Sequence, residues 1–166
     1  MAVKRIEFIL LLVYWIINLI KLSFLFKKIC IASDHAGYNL KEMIKDHLIN
    51  KYVSVFDLGP YQEKSVDYPD YAKKLAKRVK AKKSEIGILV CGSGTGMAIS
   101  ANKTKDIRAA VCYNLTSTRL SREHNNANII ALGARLTKKN LSLKLVDLFL
   151  KTKFEGGRHL KRVKKI

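Results

Sequence analysis

From Lys28 onward the hydrophobic pattern switches repeatedly between two periods, and that switching limits the possible folds more than any other feature of the chain. Short apolar runs at Lys28–Ala32, Tyr52–Leu58, Glu85–Val90, Arg108–Cys112 and Asn128–Leu132 read as strands. Segments with apolar residues three and four apart read as helices near Tyr38–Asn50, Pro69–Lys83, Met97–Lys103, Leu115–His124 and Lys138–Lys151. Strands that alternate with helices bury both kinds of apolar surface by layering. The repeat predicts an α/β domain with a three-layer, Rossmann-like arrangement: a five-stranded parallel sheet, helices on both faces and right-handed crossovers.

Ligands of open parallel sheets sit beyond the carboxyl ends of the strands, so the loops that follow strands are the place to look for chemistry. Asp34-His35-Ala36-Gly37, Gly92–Gly96 and Gly133-Ala134-Arg135 all fall on that edge. The second is the most informative, because an apolar strand runs into Cys91 and then into a loop with three glycines in five residues. A lone cysteine ending a strand is commonly a small packed hydrophobe. Here Gly92, Gly94 and Gly96 remove side chains where backbone N–H groups can face an anion, and Ser93 and Thr95 add hydroxyls, which favours a functional thiol.

Common glycine motifs do not fit. The spacing is G-x-G-x-G, with no acidic residue about 20 positions later to hold a ribose, so a dinucleotide site is excluded. No Gly-Lys-Ser or Gly-Lys-Thr marks a nucleotide P-loop, and Cys91 stands where a hydrolase elbow needs glycine.

The 166 residues suit one domain with a proper core, but the formal net charge of +19 raises nucleic-acid binding as an alternative. In the helix from Pro69, Tyr71, Leu75 and Val79 recur every fourth residue while Lys73, Lys74, Lys77, Arg78 and Lys80 fill the opposite side, as on a solvated face. No basic tract interleaved with aromatics appears, so nucleic acid is the lesser reading. Cys30, Cys91 and Cys112 include no C-x-x-C pair, which suits a reducing cytoplasm without disulfides. The histidines His35, His47, His124 and His159 lack the H-x-x-x-H spacing of a metal site, and no metal is expected.

Residues 1–26 differ from the rest. Phe8–Ile17 is an unbroken apolar run, but Glu7, Asn18, Lys21 and Ser23 interrupt its flanks, short of the roughly 20 clean residues of a membrane span. The segment reads as a signal peptide, a membrane anchor or an upstream extension ahead of a natural start near Lys27, and the abrupt beginning of the domain pattern at Lys27-Lys28 favours the last. Residues 27–166 are then the functional domain.

Five motifs in order carry a family resemblance: SDHAG after the first strand, DYPDYA opening a helix, CGSGTGMAISANK, SREHNNANIIALGAR and EGGRHLKRV. Together they closely resemble type B ribose-5-phosphate isomerases, a family that also includes galactose-6-phosphate isomerase subunits, from Lys28 to about Ile166. The resemblance implies interconversion of an aldose phosphate and a ketose phosphate through a cis-enediolate, without metal or organic cofactor.

By that resemblance Cys91 is the base, in the branch that uses cysteine; Met97 occupies the position where other members place a glutamate. Ser93, also assigned to catalysis, replaces the branch's usual threonine, retaining the hydroxyl donor but losing the methyl that restricts its rotamer. Gly92, Gly94, Thr95 and Gly96 match the loop that binds the developing oxyanion. His124 matches the ring-opening histidine, with Asn125 beside it for a sugar hydroxyl; imidazole titrates near neutrality and can pass a proton to the ring oxygen. Asp34, His35 and Tyr68 match positions at the sugar end. Asp34 also reads as a helix N-cap, and Asp67-Tyr68-Pro69 as a capped helix start. Arg135, Arg158 and Arg162 match phosphate-binding arginines, the last two four residues apart on one face of a short helix; His159 gains no role.

The resemblance further implies a homodimer whose active sites draw on both subunits. Ribose 5-phosphate is the leading substrate, with a hexose 6-phosphate such as allose or galactose 6-phosphate as the alternative, since one carbon separates them. A non-catalytic sugar-phosphate or nucleic-acid binding protein is the reading from another class.

Overall fold

A computed structural model describes residues 6, 7, 9–15, 28–51 and 53–166. The expected alternation is present, with strands β1 (Lys28–Ser33), β2 (Ser54–Asp57), β3 (Ile86–Cys91), β4 (Ala109–Val111) and β5 (Ile129–Gly133). Between and after them lie helices α1 (Tyr38–Ile49), α2 (Tyr68–Lys80), α3 (Thr95–Asn102), α4 (Leu115–Glu123), α5 (Lys139–Lys151) and α6 (Gly157–Val163). The second strand is shorter than the sequence predicts, and Tyr52, at its expected start, lies outside the described residues.

All pairings are parallel, in the order β2-β1-β3-β5-β4. β3 and β5 are buried along their whole lengths, which explains their unbroken apolar runs, while the edge strands β2 and β4 are only partly covered. Side chains alternate between two cores. Ile29, Ile31, Ile88, Val90, Ile130 and Leu132 pack under α1 and α5; Cys30, Ala32, Leu89, Ile129 and Ala131 pack under α2 and α3. α4 packs beside α5 on the first face.

The β1-to-β2 connection leaves β1 in one direction and the β2-to-β3 connection returns past it in the other. The adjacent carboxyl ends of β1 and β3 therefore form a topological switch point. Asp34 and Cys91 stand there.

Several local expectations need correction. Asp34 does not cap α1; its Oδ1 accepts the Gly37 N–H at 2.8 Å, closing the turn before the helix, and Gly37 holds the cap position. Asp67 occupies the cap position of α2 but makes no side-chain capping bond, so Pro69 in the first turn is the effective start signal. Lys73, Lys74, Lys77 and Lys80 are exposed as expected, but Arg78 stacks on Phe56 at 3.5 Å and donates through Nε to Ser84 Oγ at 3.0 Å.

A buried charge that the helical pattern does not reveal lies in α1. Lys41 is fully buried and donates through Nζ to both Asp57 oxygens, at 3.0 and 2.8 Å, and to the Pro60 carbonyl at 2.9 Å. These bonds fasten the end of β2 and the following turn to α1.

At the N-terminus, residues 9–15 are helical and exposed. The rest of the 1–26 segment, apart from Ile6 and Glu7, lies outside the described residues, and among the described residues no helix is long and apolar enough to cross a membrane.

Candidate active site

At the carboxyl edge, the Cys91 thiol ends β3 and is 4% exposed. Its Sγ accepts the Gly94 N–H at 3.0 Å. Gly94 can aim that N–H back because its φ is +83°, a left-handed conformation that L side chains rarely adopt. The loop is held on its far side by the turn after β5: Ala134 N–H donates to the Cys91 carbonyl at 2.8 Å and Arg135 N–H to the Gly92 carbonyl at 3.0 Å. Ser93 Oγ accepts the Thr95 N–H at 3.3 Å, so the hydroxyl orders the start of α3.

Side chains from three other loops border this cradle. The exposed Arg135 side chain passes over Gly92, where an added Cβ would lie 3.5 Å from its Cδ. The Tyr68 ring covers Gly96 so closely that a Cβ there would approach it to 2.9 Å. Asp34 N–H donates to the Val90 carbonyl at 3.1 Å, tying the end of β1 to β3, and His35 beside it is exposed, its Nδ1 accepting from Val66 N–H at 3.4 Å. Asp34, His35, Cys91, Gly92, Ser93, Gly94, Thr95, Gly96 and Arg135 therefore share one edge, as the order of strands and loops predicts, and Tyr68 joins them there.

The three thiols are unpaired and buried, and burial raises the pKa of two of them. It pushes Cys30 up to about 11, and it raises Cys112 as well. Cys91 borders the same core as Cys30, but it stands at the strand end with its Sγ on the Gly94 N–H.

The remaining predicted residues lie elsewhere. His124 caps the C-terminus of α4, and the chain from Asn125 to Asn128 leads into the start of β5. Arg108, just before β4, donates through Nε to the carbonyls of Asn125 and Asn126 at 3.1 and 3.0 Å. His124 and Asn125 thus sit at the amino edge of the sheet, and β5, on the order of 13 Å of strand at about 3.3 Å per residue, separates them from Cys91. Arg158 and Arg162 belong to the same edge: both are exposed on α6, and the segment before it is joined to α4 by the Glu155 N–H to Glu123 carbonyl bond of 3.1 Å.

The amino edge also holds a cluster that histidine spacing does not disclose. The His124 and His159 rings stack with centroids 4.1 Å apart and planes 5° from parallel. Glu155 Oε2 is 3.9 Å from His124 Nε2 and 3.6 Å from His159 Nε2. Arg122 anchors the turn from below, donating to the Ala127 carbonyl, to Asn126 Oδ1 at 3.2 Å and to the Thr152 carbonyl at 3.3 Å. Burial lowers the Arg122 pKa to about 10, with Arg108 adding repulsion.

The fold and the carboxyl-edge cradle define a doubly wound α/β protein with a thiol and a glycine-rich loop at its topological switch point. Within that class the chain belongs to the ribose/galactose isomerase family, whose pattern it matches over residues 29–166. Ribose-5-phosphate isomerase B of Escherichia coli (strain K12) is 43% identical over 140 residues, covering 84% of this chain and 94% of the relative. The solved structure of ribose-5-phosphate isomerase B from Clostridium thermocellum aligns with a TM-score of 0.82 at 51% identity, over 83% of this chain and 93% of that one. A crystal structure of the Mycoplasma genitalium ribose-5-phosphate isomerase B with bound ribulose-5-phosphate aligns with a TM-score of 0.79 at 45% identity, covering 82% and 91%.

Proposed function

We propose that this chain interconverts ribose 5-phosphate and ribulose 5-phosphate through a cis-enediolate, with Cys91 as the base. The geometry around that thiol carries the assignment: Sγ stands at the switch point and receives the Gly94 N–H at 3.0 Å. An N–H donor favours the thiolate over the thiol, and the thiolate is the form that takes a proton. Cys91 removes the proton from C2 of the open-chain aldose and returns it to C1, while a proton passes from O2 to O1. The Gly94 and Thr95 amides are engaged by Cys91 and Ser93, and the remaining amides of the Gly92–Gly96 loop and the Ser93 hydroxyl hold the oxygen that becomes negative. Asp34, His35 and Tyr68 line the sugar end, and Arg135, exposed above Gly92, faces the phosphate.

His124 protonates the ring oxygen of the cyclic sugar and Asn125 binds a hydroxyl. Because these two stand a strand length from Cys91 in one chain, the assignment requires a second copy. In a homodimer, two-fold symmetry lays the amino edge of each subunit over the carboxyl edge of its partner and completes two equivalent sites. His124, Asn125, Arg158 and Arg162 then serve the partner's thiol. Residues 27–166 form the catalytic domain, and unpaired thiols fit a cytoplasmic enzyme.

The test is conversion of ribose 5-phosphate by the full chain with EDTA present, and with Cys91→Ala as control. Turnover that survives EDTA and disappears in the variant is the expected result. Turnover on a hexose 6-phosphate alone would move the substrate by one carbon, and folded protein inert toward both would overturn the enzyme assignment.

A further inference from the structure

His159 is the one buried residue of α6, 6% exposed on a helix whose other positions face solvent or are partly covered. Its two neighbours are the groups on which the proposed chemistry depends at the amino edge. One face of its ring lies flat on His124, with centroids 4.1 Å apart. Its Nε2 accepts a bond from Arg158 Nε at 3.3 Å. We propose that His159 is a positioning residue with two separate contacts, its ring face holding the ring-opening imidazole of His124 and its Nε2 holding the phosphate-binding guanidinium of Arg158. This rests on the isomerase assignment above.

The hydrogen bonding sets the protonation of the ring. A guanidinium only donates, so the Nε2 it meets bears a lone pair and the proton of the neutral ring is on Nδ1. Burial lowers the pKa of His159, and His124, Arg158 and Arg162 push the same way, while Glu155 alone opposes them. Two stacked imidazolium rings would repel, and a neutral His159 places no second charge against the His124 ring.

The donor atoms of His124, Glu155 and His159 lie within 4.8 Å of one another, which is close enough to consider a cation. Nearly parallel rings, however, aim their lone pairs side by side rather than at a common point, and the Arg158 guanidinium already occupies that of His159. The cluster is suited to holding a proton donor in place, not a metal.

Two variants separate the two contacts. His159→Ala removes both, whereas His159→Phe keeps a flat ring for His124 but offers Arg158 no acceptor. Ribose 5-phosphate supplies the cyclic substrate and ribulose 5-phosphate, which cannot close a furanose through its phosphorylated C5 oxygen, the acyclic one. The alanine variant is expected to lose about tenfold in kcat on the cyclic substrate and much less on the acyclic one, a fraction of what a positioned proton donor supplies. The phenylalanine variant is expected to regain most of that kcat while KM for both substrates stays about threefold raised, because the Arg158 contact is not restored. Equal kcat losses on both substrates, or an unchanged KM in the phenylalanine variant, would overturn the proposal. The phenylalanine variant decides alone if the alanine variant does not fold. His124→Asn, measured in parallel, tells the two levels apart: if it does not selectively impair the cyclic substrate, the ring-opening assignment fails first; if it does and the His159 variants behave as wild type, only the role of His159 falls.

Discussion

At the carboxyl edge, the candidate site is largely main chain: Gly94 N–H on the thiol, Ala134 and Arg135 N–H groups holding the loop, and glycines where an added Cβ would strike a neighbour. At the amino edge, the corresponding groups are side chains of a helix end and a tail, held by a ring stack and bonds such as that from Arg158 to His159. Main-chain geometry is set by the sheet and changes only at high cost, whereas side-chain contacts can be adjusted one at a time. Under the proposed function, the first edge suits the proton transfer at carbon, where small displacements are expensive, and the second suits opening the ring and adding guanidinium groups to the phosphate contact of Arg135.

The sharpest way to break this contrast is at the thiol. Cys91→Ala should lower kcat by about a thousandfold or more while inorganic phosphate still binds, checked by progress curves and calorimetry; near-normal turnover would remove the base from the carboxyl edge.

Next in size is the scaffold of that edge. Lys41→Met leaves Asp57 without its main partner and should cost about 3 kcal/mol in urea unfolding, in the range for breaking a buried ion pair. The same network has a pH signature. Burial tends to raise the Asp57 pKa, but bonds from Lys41, the Gly59 N–H and Lys45 outweigh it and hold the carboxyl below its ordinary range. Glu42 is likewise held down against its own desolvation, by Lys41 and Lys45. Their contribution is complete above the ordinary carboxylate pKa of about 4 and disappears as pH falls through the lower folded values. Wild type should therefore lose more stability than Lys41→Met between pH 5 and pH 3, which paired denaturation curves would show.

A subtler test asks whether the two edges meet only between subunits. Cys91→Ala and His124→Asn proteins, each impaired alone, should recover up to about a quarter of wild-type activity on ribose 5-phosphate after mixing and subunit exchange. Half of the dimers are then mixed, and each of those carries one intact site. No gain from verified mixed dimers would refute the shared site. The smallest expected effect is a several-fold rise in KM for Arg158→Ala or Arg162→Ala with kcat little changed, as for loss of one exposed guanidinium from a phosphate clamp.

Much of this was legible in the chain. Strand and helix order follows from periodicities within a dozen residues, and the carboxyl-edge loops follow from that order, so Cys91 and its glycines could be placed without coordinates. A signal for the split was also present: a residue that closes a helix and precedes a strand belongs at the amino edge, and His124 does both. His159 and Lys41 gave no comparable signal, because a histidine in a basic tail and a lysine in an amphipathic helix ordinarily face water.

The sequence by itself determined the alternating elements, the parallel class of the sheet and the identity of the loop that carries the thiol, because these depend on local pattern and on the few ways such a pattern can bury its apolar surface. Only the tertiary structure decided that β5 lies between β3 and β4, that Lys41 closes on Asp57, and that His159 lies on His124 beside Arg158. Those outcomes depend on contacts between segments far apart in the chain, whose energies no local window contains.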